Sequence, residues 1–355
     1  MFALIVVAAI LQQGASVLLA SEVNMARPLD ESTILFSNNS GRLFTVDVST
    51  GETESWNLSW VPEDDGWVSG GAIYNISVSP DLKWVCVAQA VILPESFPLP
   101  EECHGMRSVL VGVIAKRDGS GAWPAFIGGA AGGGPTYVFT DDSKLLVGSP
   151  MFACETTPES YFAFLGSERK NQTLEQFNTV ETETRERMML DFPDISDGFW
   201  KCPRSDYFRV ENNWYQVHSF ASFHEPELLC TWETPAGLNS EFLGWVLPDA
   251  VLLNLDEGQL LLFVDGESRV VEFPFQLVPV AWLPDGSYLY TENGDSEQLY
   301  HASIDWNSFE ISDPGVFYLP EEMRGLRLVP MPGSRGIFCV NAQETGNLYF
   351  TRLPL

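Results

Sequence analysis

A short turn built from proline, aspartate and glycine returns along this chain at intervals that only a repeating architecture accommodates. Its clearest form is Pro284-Asp285-Gly286, where proline presets φ and Asp and Gly tolerate the tight positions. Related turns stand at Pro28-Leu29-Asp30, Pro80-Asp81, Asp141-Asp142, Pro203-Arg204-Ser205-Asp206, Pro248-Asp249 and Pro332-Gly333, with steps of 52, 61, 62, 45, 36 and 48 residues from Pro28. Each is flanked by short runs of aliphatic, aromatic and β-branched residues, too short for helices and bounded by breakers. The hairpin that follows repeats as well. Ile34-Leu35-Phe36 leading to Leu43-Phe44 parallels Tyr288-Leu289-Tyr290 leading to Leu299-Tyr300, Gly336-Ile337-Phe338 leading to Leu348-Tyr349, and Val251-Leu252-Leu253 leading to Leu260-Leu261.

Units of roughly 40–60 residues with about four strands each predict radial repetition, in which neighbouring sheets cover each other's apolar faces. Seven turns predict seven units, so the expected fold is all-β, a seven-bladed β-propeller of four-stranded antiparallel blades. The apolar-Ser-Pro-Asp-x-Lys-apolar motif at Val78–Val85, with its cousin at Trp282–Tyr290, resembles the repeats of TolB-type and WD40-like β-propellers over nearly the whole chain after residue 20. The Gly-His and Trp-Asp pairs of true WD40 repeats are not present. The resemblance implies a scaffold often used for binding and no particular chemistry.

Charge narrows the partners. Nineteen basic against 48 acidic residues give a net charge of −29, which repels phosphate backbones and anionic lipid and argues against nucleic acid. Such a surface serves solubility, and it suits a cationic partner or bound calcium.

Phe2–Leu11 is an uncharged apolar run with the length of a signal-peptide core, too short to span a bilayer securely. Residues 1–20 are therefore expected to be a leader, cleaved after Ala15 or after Ala20, with a single propeller domain over 21–355 and a secreted product that is not an integral membrane protein. Cleavage after Ala15 would leave Ser16–Ser21 free to supply an outer strand to the last unit, which has no obvious fourth strand of its own. Four N-x-S/T sequons stand at Asn38, Asn57, Asn75 and Asn171, and Asn75 falls in a predicted inner strand, where a glycan has no room.

The connections predict the working face. Within an up-and-down unit of strands a to d, the b–c and d–a connections open at one end and the a–b and c–d turns at the other. Ser59–Gly71, Leu93–Gly105, Gly128–Pro135, Phe152–Ser160, Asp191–Gly198 and Ser312–Arg324 are long, and all are assigned to the b–c and d–a end. Rigid scaffolds carry function on such loops. The expected contact residues are Asp64, Asp65, Trp67, Glu101, Glu102 and His104. Of the six cysteines, Cys103 and Cys154 lie in successive long b–c loops and form the expected disulfide, while Cys86, Cys230 and Cys339 sit in apolar strands as candidate buried thiols.

Sequence signals for catalysis are weak. No zinc spacing, G-x-S-x-G elbow or P-loop is present, and no cofactor is expected apart from calcium, for which Asp191, Asp194 and Asp197 are the weak candidate ligands. The expected function is a protein- or ligand-binding or assembly module. The alternative is a metal-dependent, lactonase-like propeller hydrolase, against which the mostly apolar inner strands argue.

Overall fold

A computed structural model of the chain describes residues 15–58, 68–92, 95, 107–129, 137–139, 143, 145–148, 179–184, 187–188, 200–201, 206–211, 214–219, 227–233, 240–247, 250–255, 259–264, 267–272, 277–283, 287–292, 297–305, 308, 310–312, 315–333, 336–341 and 346–353. Between residues 200 and 279 the description is of the backbone and its pairing.

The chain is all-β, and the described strands form seven four-stranded antiparallel sheets and one two-stranded ribbon. Strand β1 (Val17–Ala20) precedes the first complete sheet, β2 (Val23–Pro28), β3 (Thr33–Asn38), β4 (Leu43–Asp47) and β5 (Thr53–Ser55). The second sheet is β6 (Val68–Val78), β7 (Trp84–Ile92), β8 (Ser108–Lys116) and β9 (Trp123–Gly129). The third is β10 (Tyr137–Phe139), β11 (Leu145–Gly148), β12 (Thr179–Glu181) and β13 (Arg187–Met188). The fourth is β14 (Trp200–Lys201), β15 (Asp206–Glu211), β16 (Trp214–Ser219) and β17 (Glu227–Glu233). The fifth is β18 (Ser240–Leu247), β19 (Ala250–Leu255), β20 (Gln259–Val264) and β21 (Glu267–Glu272). The sixth joins β22 (Leu277–Trp282), β23 (Tyr288–Glu292) and β24 (Gln298–Ala302) to β27 (Gly315–Tyr318), with the ribbon β25 (Ile304–Asp305) and β26 (Glu310–Ile311) between them. The seventh is β28 (Val329–Pro330), β29 (Gly336–Asn341) and β30 (Asn347–Arg352), completed by β1 in the order β1-β30-β29-β28.

Alternation along the strands explains why the sheets pack face to face. Ile34 and Phe36 point into a core shared with Leu348 and Phe350 of the seventh sheet. Leu35, between them, points the other way, against Ile76, Val85 and Val87 of the second sheet. Cys86 and Ala88, out of phase with Val85 and Val87, meet Tyr137 and Phe139 of the third. Ile337 and Cys339 face Leu289, Leu299 and Phe317 of the sixth, while Phe338 faces the first. A strand with both faces buried reads as a continuous apolar run in which the period of two decides which neighbour each residue meets. Leading strands adjoin accordingly, β2 beside β6, β6 beside β10, β18 beside β22 and β22 beside β28, while β2 lies against β29, the second strand of the seventh sheet.

Two assignments made from sequence are corrected. In sequence the run Tyr161–Leu165, outside the described residues, reads as the third strand of the third unit and Thr179–Thr184 as an outer strand, yet Thr179–Glu181 pairs with Leu145–Val147 in the third position, with Arg187–Met188 outside it. Ser312–Arg324 is not a long d–a loop. It contains β27, which pairs with β24 as the outer strand of the sixth sheet, followed by a 3-10 turn at Glu321–Met323. The long connection there is instead c–d, residues 303–314, and it carries the ribbon in which Ile304 pairs with Ile311.

Candidate functional site

A cleft of about 380 Å³ opens where the first sheet turns from β3 to β4 and where β5 runs out towards β6. Its walls include Arg42, Phe44, Trp56, Asn57 and, from the second sheet, Gln89. These elements belong to the b–c and d–a end of the first sheet, the end at which the long connections were expected to work.

Local chemistry fixes the rim. The Asn38 side-chain oxygen accepts from the Ser40 hydroxyl at 2.8 Å and from the backbone N–H groups of Ser40 and Arg42 at 3.1 and 2.9 Å, an Asx turn that sets the start of β4. Gly41 follows with φ 73°, and a Cβ there would lie 1.9 Å from the Gly71 carbonyl oxygen, so only glycine lets the β3–β4 turn reach the bulged first half of β6. The Arg42 guanidinium stands exposed at the mouth. Phe44 stacks on Phe36 with ring centroids 5.5 Å apart, which anchors one wall in the core.

The other wall is Trp56. Its ring is buried, its backbone N–H donates to Leu43 O at 2.9 Å, and its indole N–H donates to Arg117 O at 2.9 Å. The Arg117 guanidinium pairs in turn with Asp30 in the first turn of the first sheet. Gly119 (φ 80°) passes so close to Asn57 that a Cβ would lie 2.4 Å from its carbonyl oxygen. Trp56 and Asn57, which follow β5, are thus held against the β8–β9 turn.

The expected contact residues Asp64, Asp65, Trp67, Glu101, Glu102 and His104 lie outside the described residues. So do the candidate calcium ligands Asp191, Asp194 and Asp197 and the expected disulfide partners Cys103 and Cys154. The connections that carry them run from β5 to β6, β7 to β8, β13 to β14 and β11 to β12. These are d–a, b–c, d–a and b–c connections. Sequence reasoning missed Arg42, Trp56, Asn57 and Gln89. Trp56 could have been marked as a lone aromatic where a strand meets a long loop, but Gln89 carries no local signal.

Among the other candidates, Cys86 and Cys339 are buried free thiols. Burial pushes the Cys86 thiol far above its ordinary range and that of Cys339 to about 12, which makes both inert at neutral pH. Asn75 lies in β6 with its side-chain amide oxygen buried. Asn57 is exposed at the cleft.

No protein-family model matches the chain, and no curated protein matches it.

Proposed function

We propose that the chain is a secreted, seven-bladed β-propeller of the TolB or WD40-like kind that binds a protein or small ligand through its b–c and d–a loop face. The seven four-stranded sheets and the shared cores between sheet neighbours support the ring. The observation that carries the binding reading is the cleft at Arg42, Phe44, Trp56, Asn57 and Gln89, about 380 Å³ in volume and within the size range of ligand sites. It adjoins the connection bearing Asp64, Asp65 and Trp67. The excess of 48 acidic over 19 basic residues favours a partner with cationic groups, steered in by the protein's field.

Panning a displayed peptide library on the purified protein tests this. Enriched sequences should be basic, and their affinity should fall tenfold or more on Asp64→Lys with Asp65→Lys, or on Gln89→Ala with Trp67→Ala. Binders that map to the a–b and c–d turns, or that ignore both pairs of substitutions, contradict it.

A further inference from the structure

The two ends of the chain meet in one sheet, and this bears on where the expected leader is removed. Val17 pairs with Phe350, Leu18 with Tyr349 and Ala20 with Leu348, so β1 is the outer strand beside β30. Leu19 is buried in the core with Val23, Ile34, Leu348 and Phe350, and Val17 and Ala20 pack against the same cluster. The strand is pinned at both ends. On its upstream side the Ser16 hydroxyl donates to Glu322 Oε2 at 3.1 Å, and the Thr351 hydroxyl donates to Ala15 O at 3.0 Å. On its downstream side Glu22 takes φ 60°, its carbonyl accepts from Asn39 N–H at 3.0 Å, and Val23 N–H donates to Gly346 O at 2.7 Å. Gly346 itself has φ 72°, and a Cβ there would lie 2.2 Å from Val23 O, so the seventh sheet's last turn is shaped to receive this crossing.

We infer that processing cuts after Ala15 and not after Ala20, leaving a mature chain that begins at Ser16 and keeps Val17–Ala20 as the strand that joins its two ends. This rests on the secreted reading proposed above. Of the two small residues that could precede the scissile bond, Ala20 lies at the C-terminal end of β1, and cutting there discards all of it. The edge of β30 would then present unpaired N–H and C=O groups, a template for pairing between chains, and the Leu348 and Phe350 side chains would lose Leu19 from their core. Cutting after Ala15 hydrolyses one peptide bond outside the ladder. It releases the Ala15 carboxylate with the leader and creates an ammonium on Ser16, the residue already bonded to Glu322. The Thr351 hydroxyl loses the Ala15 carbonyl but can accept as well as donate.

The test is the first residue of the protein secreted by a host given the full chain, read by terminal sequencing and intact mass. Ser16 is the expected result. A start at Ser21, or at any other residue beyond Met1, overturns the inference and leaves secretion standing; retention of Met1 overturns both. A second measurement is independent of the host. Leaderless chains beginning at Ser16 and at Ser21 are melted side by side, and the shorter should melt about 5–10 °C lower, with partial recovery on adding a peptide spanning Ser16–Ser21. Equal midpoints would show that the strand is dispensable and overturn the reason given for its retention.

Discussion

The backbone N–H of Asp81 donates to the Ser143 hydroxyl oxygen at 3.0 Å, tying the first turn of the second sheet to the corresponding turn of the third. Ser143 is buried, holds φ 61°, and its carbonyl accepts from the Thr182 hydroxyl at 3.0 Å. The bond thus couples two sheets through turns 62 residues apart. Ser143→Ala leaves the Asp81 N–H without its partner and should cost about 1–2 kcal/mol, a fall of roughly 1–3 °C in melting midpoint. Thermal unfolding followed by near-ultraviolet dichroism checks this; an unchanged midpoint would mean the turns are not coupled.

Asp81 and Asp47 set an acid limb. Burial alone would raise both carboxyls, but hydrogen bonds outweigh it. Ser79, Lys83 and Ser143 hold Asp81 below the ordinary range, and Ser49 and Thr50 do the same for Asp47. A depressed folded pKa contributes stability that is fully present above the unfolded value, about 3.9, and is lost as pH falls through the folded value. Stability should therefore be level near neutrality and decline below about pH 4. Asp81→Asn with Asp47→Asn should lower stability at pH 7 and flatten the decline. Denaturant titrations at pH 7 and pH 3 measure it, and an undiminished slope in the double variant would refute the assignment.

Gly41 and Gly51 separate the two costs of replacing a left-handed glycine. Both have positive φ, 73° and 72°, but a Cβ at Gly51 meets nothing within 4 Å, whereas at Gly41 it strikes Gly71 O. Gly51→Ala should cost about 1 kcal/mol from backbone conformation alone, and Gly41→Ala about 3 kcal/mol or more because the turn must lift away from β6. Only the second should disturb binding at the neighbouring cleft. Equal losses in urea unfolding would contradict the close approach.

Cys86 and Cys339 offer a probe of the intersheet cores. Buried among apolar residues, with thiol pKa values pushed upward, neither should react with a disulfide reagent in the native protein at pH 8. Both should react within seconds in concentrated guanidinium. Peptide mapping of labelled sites reads the outcome; labelling of Cys86 without denaturant would mean that the second and third sheets do not face each other as described.

Much of the fold was legible because its signals are local. The Pro80-Asp81 and Pro284-Asp285 turns declare themselves in four residues, and the Ile34-Leu35-Phe36 run announces a strand covered on both faces. The lack of a fourth strand after Tyr349 was itself a signal, with Ser16–Ser21 the candidate to fill it. Thr179–Thr184 alternates like a strand and was legible as one, but its place was not: local alternation does not say which neighbour a strand pairs with, and only pairing to Leu145–Val147 makes Thr179–Glu181 the third strand of its sheet. The strand at Gly315–Tyr318 was hidden because Asp313-Pro314 and Pro320 read as loop, and because it pairs with β24 across the intervening ribbon. The cleft escaped for a different reason. Gly41 meets Gly71 and Trp56 meets Arg117 across 30 and 61 residues, and such approaches leave no trace in either segment alone.

The central claim is that seven four-stranded sheets surround one axis and that Val17–Ala20 completes the last of them. Crystal diffraction from the protein beginning at Ser16 tests it most directly. The account predicts seven sheets in a closed ring, with density for Val17–Ala20 running antiparallel to Leu348–Phe350 and the Pro80 and Pro284 turns at the same end. A two-layer sandwich, a different number of sheets, or a three-stranded seventh sheet with the N-terminal residues elsewhere would contradict it.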